Sequence, residues 1–465
     1  MKKLTVFLSL VFLMVVMGVN AQQADSLKQN DEIEKLRKQI EADSINQAML
    51  KADTSKHADE HMEKKMITKD IAFLTGEHTH GRGYVKNGRD TAEFYILKKF
   101  KDYKLQPVAA NGKYTQAYAF PVNTFPGKME LIVDDEQLMG GSQFLIDASS
   151  SSYSRKNLPV KKINLSKIAD LAAWRELVSS LDTSHAYYFE NADSFCSTVL
   201  QIRKSKFLSQ LPMGCYILPE EGKLQWTVSR QNYPGTLFYV RESLLPKKIK
   251  TITVHADAVM LPHARSENVV ACVPGAVKDT FIAFTAHYDH LGMMGETAVF
   301  PGASDNASGT AMLLYLASYF AAHPQHYSIL FIAFAGEEAT LKGSEFFVQN
   351  PMVPLKNIKF LTNIDIMGDA TGGVTVVNAT EFPAAFGLLK DINEKQKYLP
   401  AINSRGTAAN SDHYYFTEAG VPSFFIYSVG GKGFYHDVFD KAKEVTLNNV
   451  DGVAKLLIDF VAALN

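Results

Sequence analysis

From about residue 251 onward, short apolar runs alternate with helix-like stretches, and several of these runs end in histidine or acid. Strand-like runs cover 250–260, 281–286, 328–335, 358–366 and 423–427, with a helix predicted over 310–322. Alternation at this spacing predicts an α/β domain on a mostly parallel central sheet. In such sheets ligands bind beyond the carboxyl ends of the strands, so those ends are where chemistry is expected.

The run 281–286 is followed by His287, Tyr288 and Asp289, and 328–335 by Gly336, Glu337 and Glu338. The run from 358 passes into Asp365. A small-residue loop, 301–309, carries Asp305, and His436 stands in a Gly-rich loop after 423–427. Taken singly, each is an ordinary cap or surface residue. Gathered on one rim and flanked by apolar runs, the carboxylates would repel one another and take up protons unless cations neutralised them. A pair of divalent ions meets that need. Nitrogen and oxygen ligands without thiolate suit zinc, with cobalt or manganese as substitutes.

The rest of the composition narrows the class. Of 465 residues, 46% are apolar, too many for a disordered chain. With 48 Lys and Arg against 49 Asp and Glu, the formal charge is −1, which excludes a strongly basic nucleic-acid protein. Cys196, Cys215 and Cys272 include no C-x-x-C spacing and make at most one bridge, so a disulfide scaffold and a cysteine zinc site are both excluded. There is no G-x-S-x-G elbow, and Ser304 and Ser308 flank Asp305 in a loop better explained by metal binding. No internal repeat and no nucleotide-binding glycine motif is present.

At the start, Lys2 and Lys3 precede an apolar run over 4–19, and Ala21 offers a small-residue cleavage site, the layout of a secretory signal peptide over 1–21. The run is shorter than the ~20 residues of a bilayer span. An exported mature chain without a membrane span, periplasmic or extracellular, is therefore expected. Residues 22–65 are polar and lack Gly and Pro, with Ile33, Leu36 and Ile40 at helical spacing, and read as a solvated helical stalk or linker. Residues 66–125 bring a packing helix over 91–103. Residues 126–250 mix strand-like runs such as 129–133 with turn clusters and read as a β-rich insert, and 251–465 carries the core with its chemistry.

These residues resemble the secreted co-catalytic zinc aminopeptidases, relatives of the glutamate carboxypeptidases, the glutaminyl cyclases and the metal-free transferrin receptor ectodomain. The matching pieces are AHYDHLG (286–292), PGASDNASGTA (301–311), FAGEEATLKGSEFF (334–347), NIDIMGD (363–369), SDHYYF (411–416) and YHDVFD (435–440). HGRGYVKNG (80–88) looks like the family's N-terminal segment and SENVVACVPG (266–275) like its lead-in strand. The resemblance covers roughly 66–125 and 250–465; between 126 and 250 there is only a faint likeness to the protease-associated insert of some members.

It implies a three-layer α/β/α sandwich of the zinc exopeptidase type and two Zn²⁺ ions. His287 and Asp365 would hold one ion, Glu338 and His436 the other, and Asp305 would bridge both, with Glu337 as general base. Chemistry asks for the same division of labour. Two ions ~3.5–4 Å apart share a water, lower its pKa and polarise a scissile carbonyl, and a free carboxylate beside that water moves its proton to the leaving amine. Asp289, two residues beyond His287, suits an acceptor that fixes the imidazole tautomer. The implied activity is removal of N-terminal residues from peptide substrates. The alternatives are a carboxypeptidase or glutaminyl cyclase on the same site, or a receptor-like protein that has lost its metals.

Other residues carry weaker expectations. His290 and His413 lie inside the motifs and read as supporting or structural, and His78 with His80 as a solvent-exposed turn. Met293 and Met294 read as gap-filling residues rather than pocket lining. Two positions depart from the family. Ala408, Ala409 and Asn410 stand before Ser411 where some relatives have an oxyanion-stabilising tyrosine, and Asp437 follows His436 where a threonine or serine is frequent. Tyr427 and Tyr435 are the nearest substitutes for the missing phenol.

Overall fold

Apolar residues on both faces of a strand demand cover on both faces, and the central strands of this chain are of that kind. A computed structural model describes residues 62–109 and 111–464; the expected leader and nearly all of the expected stalk lie outside the described residues. Strand Tyr327–Phe334 is buried at every position but its first, and Ile358–Ile364 at every position but its second. They belong to an eight-stranded sheet running Thr115–Thr124, Val259–Val273, Tyr327–Phe334, Val277–His287, Ile358–Ile364, Ser423–Ser428, Val374–Val377 and Ile402–Ser404.

The four middle strands are parallel. The two strands at the leading edge are antiparallel, as is the pairing of Val374–Val377 on Ser423–Ser428. The sheet is therefore mixed, and parallel where its centre is most buried, as expected of strands with helices on both sides. Alternate residues divide between two cores. Ile282, Phe284, Phe331 and Ala333 face Ile67, Ile96, Leu313 and Leu457 from the helices Met62–Leu74, Gly88–Asp102, Gly309–Ala322 and Val450–Leu464. Ala283, Leu330, Ile332 and Phe334 face Phe347 and Phe416 from Lys342–Gln349 and His413–Glu418. This is the three-layer α/β/α arrangement.

A second eight-stranded sheet runs Glu136–Gln137, Met129–Val133, Thr251–Ala256, Tyr153–Asn164, Ala186–Glu190, Cys215–Glu220, Thr236–Arg241 and Phe144–Ile146. It departs from the sequence reading in two respects. The run 250–260 is divided: Thr251–Ala256 joins this sheet, because Val254 and Ile252 pair with Leu131 and Val133 and pack beside them, and only Val259 and Met260 enter the first, at the start of Val259–Val273. The insert is also more than β-rich: its strands from Tyr153–Asn164 to Thr236–Arg241 are parallel. The helix Leu171–Ser180, capped by the Asp170 carboxylate on the amides of Ala172 and Ala173, makes one of the crossovers.

Trp174 of that helix packs with Phe189, Phe207 and Tyr216 on one face of the second sheet. The other face packs on loops of the first sheet, burying Phe125, Leu291, Met294 and Phe300 together with Phe144, Phe238 and Val254. The second sheet thus seats its apolar face beside the loops that follow the parallel strands. No helix of the described residues is long and apolar enough to cross a membrane.

Candidate metal centre

Because the middle strands are parallel, their carboxyl ends share one edge, and the loops leaving them carry the predicted residues. His287 is the last residue of Val277–His287. Asp365 follows Ile358–Ile364 directly. Glu337 and Glu338 follow Tyr327–Phe334 after a turn at Gly336, whose φ of +70° and close approach to the Phe120 ring leave no room for a side chain. Asp305 sits in the turn that opens helix Gly309–Ala322, entered through Gly302 at φ +61°, where a Cβ would strike the His290 ring and the Asp305 carbonyl. The peptide between Asp305 and Asn306 is cis.

The structure brings His287, Asp305, Glu338, Asp365 and His436 together. Asp305 is shared: its Oδ1 lies 3.2 Å from His287 Nε2 and its Oδ2 3.1 Å from His436 Nε2. His287 Nε2 is 3.3 Å from Asp365 Oδ1, and His436 Nε2 is 3.2 Å from Glu338 Oε2. Ligands 2.0–2.1 Å from a tetrahedral ion lie about 3.3 Å from one another. The two half-sites have that spacing.

His290 also lies among these residues. One atom each from His290, Asp305 and Glu338 clusters within 4.8 Å, as does one each from His287, Glu337 and Asp365. His290 Nδ1, however, is 2.7 Å from Glu338 Oε1, too close for two ligands of one ion and right for a hydrogen bond. His290 therefore holds Glu338, leaving Oε2 to face His436. Glu337 keeps a partly exposed side chain beside the His287 half-site.

The donor set fits a divalent cation on three counts. Asp365 Oδ1 is buried and lacks a hydrogen-bond donor, although Oδ2 accepts one from Ser411. The acids also outnumber the cations, and their protonation states are pulled apart. Burial would raise Glu338, but His436 and the bond from His290 bring it down to about 2. Burial likewise opposes the low value of Asp305, which the two imidazoles hold well below the usual carboxylate range. Burial pushes the Glu337 carboxyl well up, with Glu338, Asp412 and Asp365 adding to the push against His287. His287 and His436 are both raised: burial alone would lower them, and the carboxylates outweigh it. Finally, all the facing atoms are nitrogen or carboxylate oxygen, the set zinc accepts without thiolate.

Several supporting residues, among them Arg82, Asn363, Ser411 and Asp440, lie inside the matching motif pieces although no role was expected of them. Asp365 is steadied by a buried chain in which Thr285 donates to Asn363, Asn363 to Ser411 and Ser411 to Asp365, each link 2.7–2.9 Å. Asp440 accepts the amides of Ser304 and Asp305. Arg82 is fully buried. Its guanidinium donates to the carbonyls of Leu74, Tyr288, Pro301 and Gly302 at 2.7–2.8 Å, fastening two ligand-bearing loops to the first helix. His436 Nδ1 lies 2.9 Å from the carbonyl of Trp226, in the insert.

Asp289 lies where expected but with different contacts. The nearest acceptor to His287 Nδ1 is the Asp289 carbonyl at 3.2 Å, while the carboxylate stands at 3.8 Å. The carboxylate instead accepts the Glu337 amide at 3.2 Å and the Tyr84 hydroxyl at 3.3 Å. His413 is buried against Phe425, away from the paired half-sites. His78 is half-buried with its ring against Phe73, not in a solvent-exposed turn, because that turn folds back on the preceding helix. Met293 and Met294 are buried, and the Met294 sulfur accepts the Ile146 amide in the second core. Tyr435 stacks on His436 with ring centres 4.0 Å apart, whereas the Tyr427 hydroxyl lies near Arg405. All three cysteines are free thiols.

The fold is thus a three-layer α/β/α sandwich whose parallel rim carries one carboxylate between two His–acid pairs. Residues 268–461 match the model of peptidase family M28. A probable zinc metalloprotease of Pyricularia oryzae is 39% identical over 120 residues, 25% of this chain and 24% of that protein. Aminopeptidase YwaD of Bacillus subtilis is 29% identical over 187 residues, 39% of each chain. The chain thus covers well under two thirds of these relatives. An aminopeptidase from Aneurinibacillus sp. strain AM-1 shares the fold with a TM-score of 0.58 at 18% identity, covering 88% of this chain and 96% of that one. A zinc aminopeptidase from Bacillus subtilis does so with a TM-score of 0.62 at 17% identity, covering 86% and 94%.

Proposed function

We propose that this chain is a zinc-dependent exopeptidase, an aminopeptidase that hydrolyses N-terminal residues from peptides, and that it is exported behind the leader 1–21. The observation that carries the proposal is the divided Asp305 carboxylate, one oxygen toward each imidazole. In this reading His287 and Asp365 hold one ion, Glu338 and His436 the other, and Asp305 both. The names of the relatives, zinc metalloprotease and aminopeptidase, favour hydrolysis at a free N-terminus.

Bound ions would acidify a shared water and polarise the scissile carbonyl. The chain's own residues supply the rest. Glu337, raised by burial and by its acidic neighbours, stands beside the paired half-sites without belonging to either pair. It takes a proton from the nucleophile and returns it to the leaving amine. Asp289 fixes the Glu337 backbone and keeps that carboxylate aimed. Tyr435, 40% exposed and stacked on His436, is the candidate phenol for donating to the substrate carbonyl oxygen.

The test is Glu337→Gln in zinc-loaded protein: hydrolysis should fall by about 10²–10⁴-fold while metal content, read by mass spectrometry, stays unchanged. Retained turnover in a metal-replete variant would falsify the assignment. A panel of free-amine, N-blocked and N-glutaminyl peptides separates the activities. Hydrolysis that requires the free amine marks an aminopeptidase, cleavage of blocked peptides a carboxypeptidase, and release of ammonia a cyclase.

A further inference from the structure

We infer that the inserted segment 223–226 is a strap that sets the orientation and tautomer of His436, so that the insert governs one metal half-site and leaves the other alone. The inference rests on the two-zinc reading. His436 is a non-glycine residue at φ +54° in a Gly-rich loop, a conformation that persists only when its surroundings hold it.

The hold comes from the insert. Trp226 N–H donates to the His436 carbonyl at 2.9 Å, and His436 Nδ1 meets the Trp226 carbonyl at 2.9 Å, a reciprocal pair between residues 210 apart. Trp226 is itself fixed. Its indole N–H donates to the Ile146 carbonyl at 2.8 Å, and its ring stacks on Phe300 with centres 4.8 Å apart. Three residues earlier, Lys223 Nζ lies 2.6 Å from Asp437 Oδ2 and donates to the Gly433 carbonyl at 2.9 Å. The strap therefore grips the His436 loop on both sides of the imidazole. It also gives a role to Asp437, where the sequence departs from its relatives.

A carbonyl can only accept, so its contact with Nδ1 places a proton there and turns the Nε2 lone pair toward Asp305 and Glu338. His287 differs: its Nδ1 meets the carbonyl of Asp289 in its own loop. Loosening the strap should thus weaken the Glu338–His436 half-site and spare the His287–Asp365 one. A merely structural role for Trp226 would not produce that asymmetry.

The experiment titrates zinc into metal-free, full-length protein against a chromophoric chelator, using wild type, Trp226→Ala, Trp226→Phe and His436→Gln. His436→Gln identifies which step belongs to that half-site. Trp226→Ala should weaken the same step about 10–100-fold and leave the other within about twofold. Trp226→Phe, which keeps a stacked ring and loses the indole bond, should fall between and serves if the alanine variant does not fold. Trp174→Phe, in the distant face of the insert, should change neither step. Independently of metal, the His436 Nδ1 proton, assigned by comparison with His436→Gln in ¹⁵N-histidine-labelled protein, should exchange slowly in wild type and fast in Trp226→Ala. Equal weakening of both steps, no weakening, or an unprotected Nδ1 proton in wild type overturns the strap. If wild type binds fewer than two ions, the two-zinc reading falls, and proton exchange alone decides whether the strap holds His436.

Discussion

His413 shows how a single buried residue of the ligand-bearing region shapes the molecule's response to acid. It is buried beside Phe425, and that burial lowers its pKa to about 4, against about 6.5 in an unfolded chain. The unfolded state therefore binds the extra proton first as pH falls. Stability associated with the neutral ring is complete above about pH 6.5 and drains away toward pH 4, at up to about 1.4 kcal/mol per unit. His413→Gln should flatten this part of the stability curve. Urea unfolding of both proteins at about pH 7.5 and about pH 5 checks it: the difference between the two pH values should shrink in the variant, by up to about 2 kcal/mol, and an unchanged difference would refute the linkage. What was legible at this scale has the same physical basis. His287, Glu337, Glu338 and Asp365 are readable because a parallel strand announces its own end, whereas Trp226 and Ser411 act through a carbonyl and a hydroxyl whose partners lie 210 and 46 residues away. Ser411 opens the piece SDHYYF, but nothing local names its partner, and nothing local marks Trp226 at all.

At the scale of elements, the loops that follow the strands need fastening, and Arg82 supplies it. Its four donated bonds join the end of helix Met62–Leu74 to the loops at 288 and 301–302. Burial pulls the guanidinium down to about 10, against the pull of Asp305, Asp440, Asp289 and Glu338, so it stays charged at neutral pH. Arg82→Met should leave these carbonyls unpaired in the interior and destabilise the fold by about 3 kcal/mol or more. Arg82→Lys, a point donor without the planar fork, should recover only part of it. The readout is the urea midpoint of metal-free protein, so that lost metal binding does not enter; a midpoint within error of wild type for Arg82→Met would rule the fastening role out. The central strands and the helix Gly309–Ala322 were legible because unbroken apolar runs allow little else. The strand Thr251–Ala256 was not: its alternating pattern fits either sheet, and only its register beside Met129–Val133 assigns it to the second.

Across the whole molecule, the proposed zinc ligands come from five separate loops, so on that proposal the stability of the fold depends on both metal and pH. Without metal, His287 and His436 carry protons well above the usual imidazole range because the carboxylates outweigh burial. Those imidazolium–carboxylate pairs stabilise the metal-free fold fully below about pH 6.5, and the contribution is lost as pH rises through the elevated values. Zinc takes neutral imidazole, so binding must release these protons and tightens with rising pH, by up to tenfold per unit for each proton released. The two trends are one proton linkage, seen first in the metal-free fold and then in metal binding. Chelation should therefore cost the protein little stability near pH 6 and progressively more toward about pH 8.5, at about 1.4 kcal/mol for each tenfold gain in zinc affinity. Melting curves of zinc-loaded and chelated protein at the two pH values, at one free-zinc level fixed by a metal buffer, read the gap directly. Zinc added back should close it. A gap that stays constant or narrows as pH rises would mean that the protons bound by the metal-free protein do not sit on the residues that hold the metal.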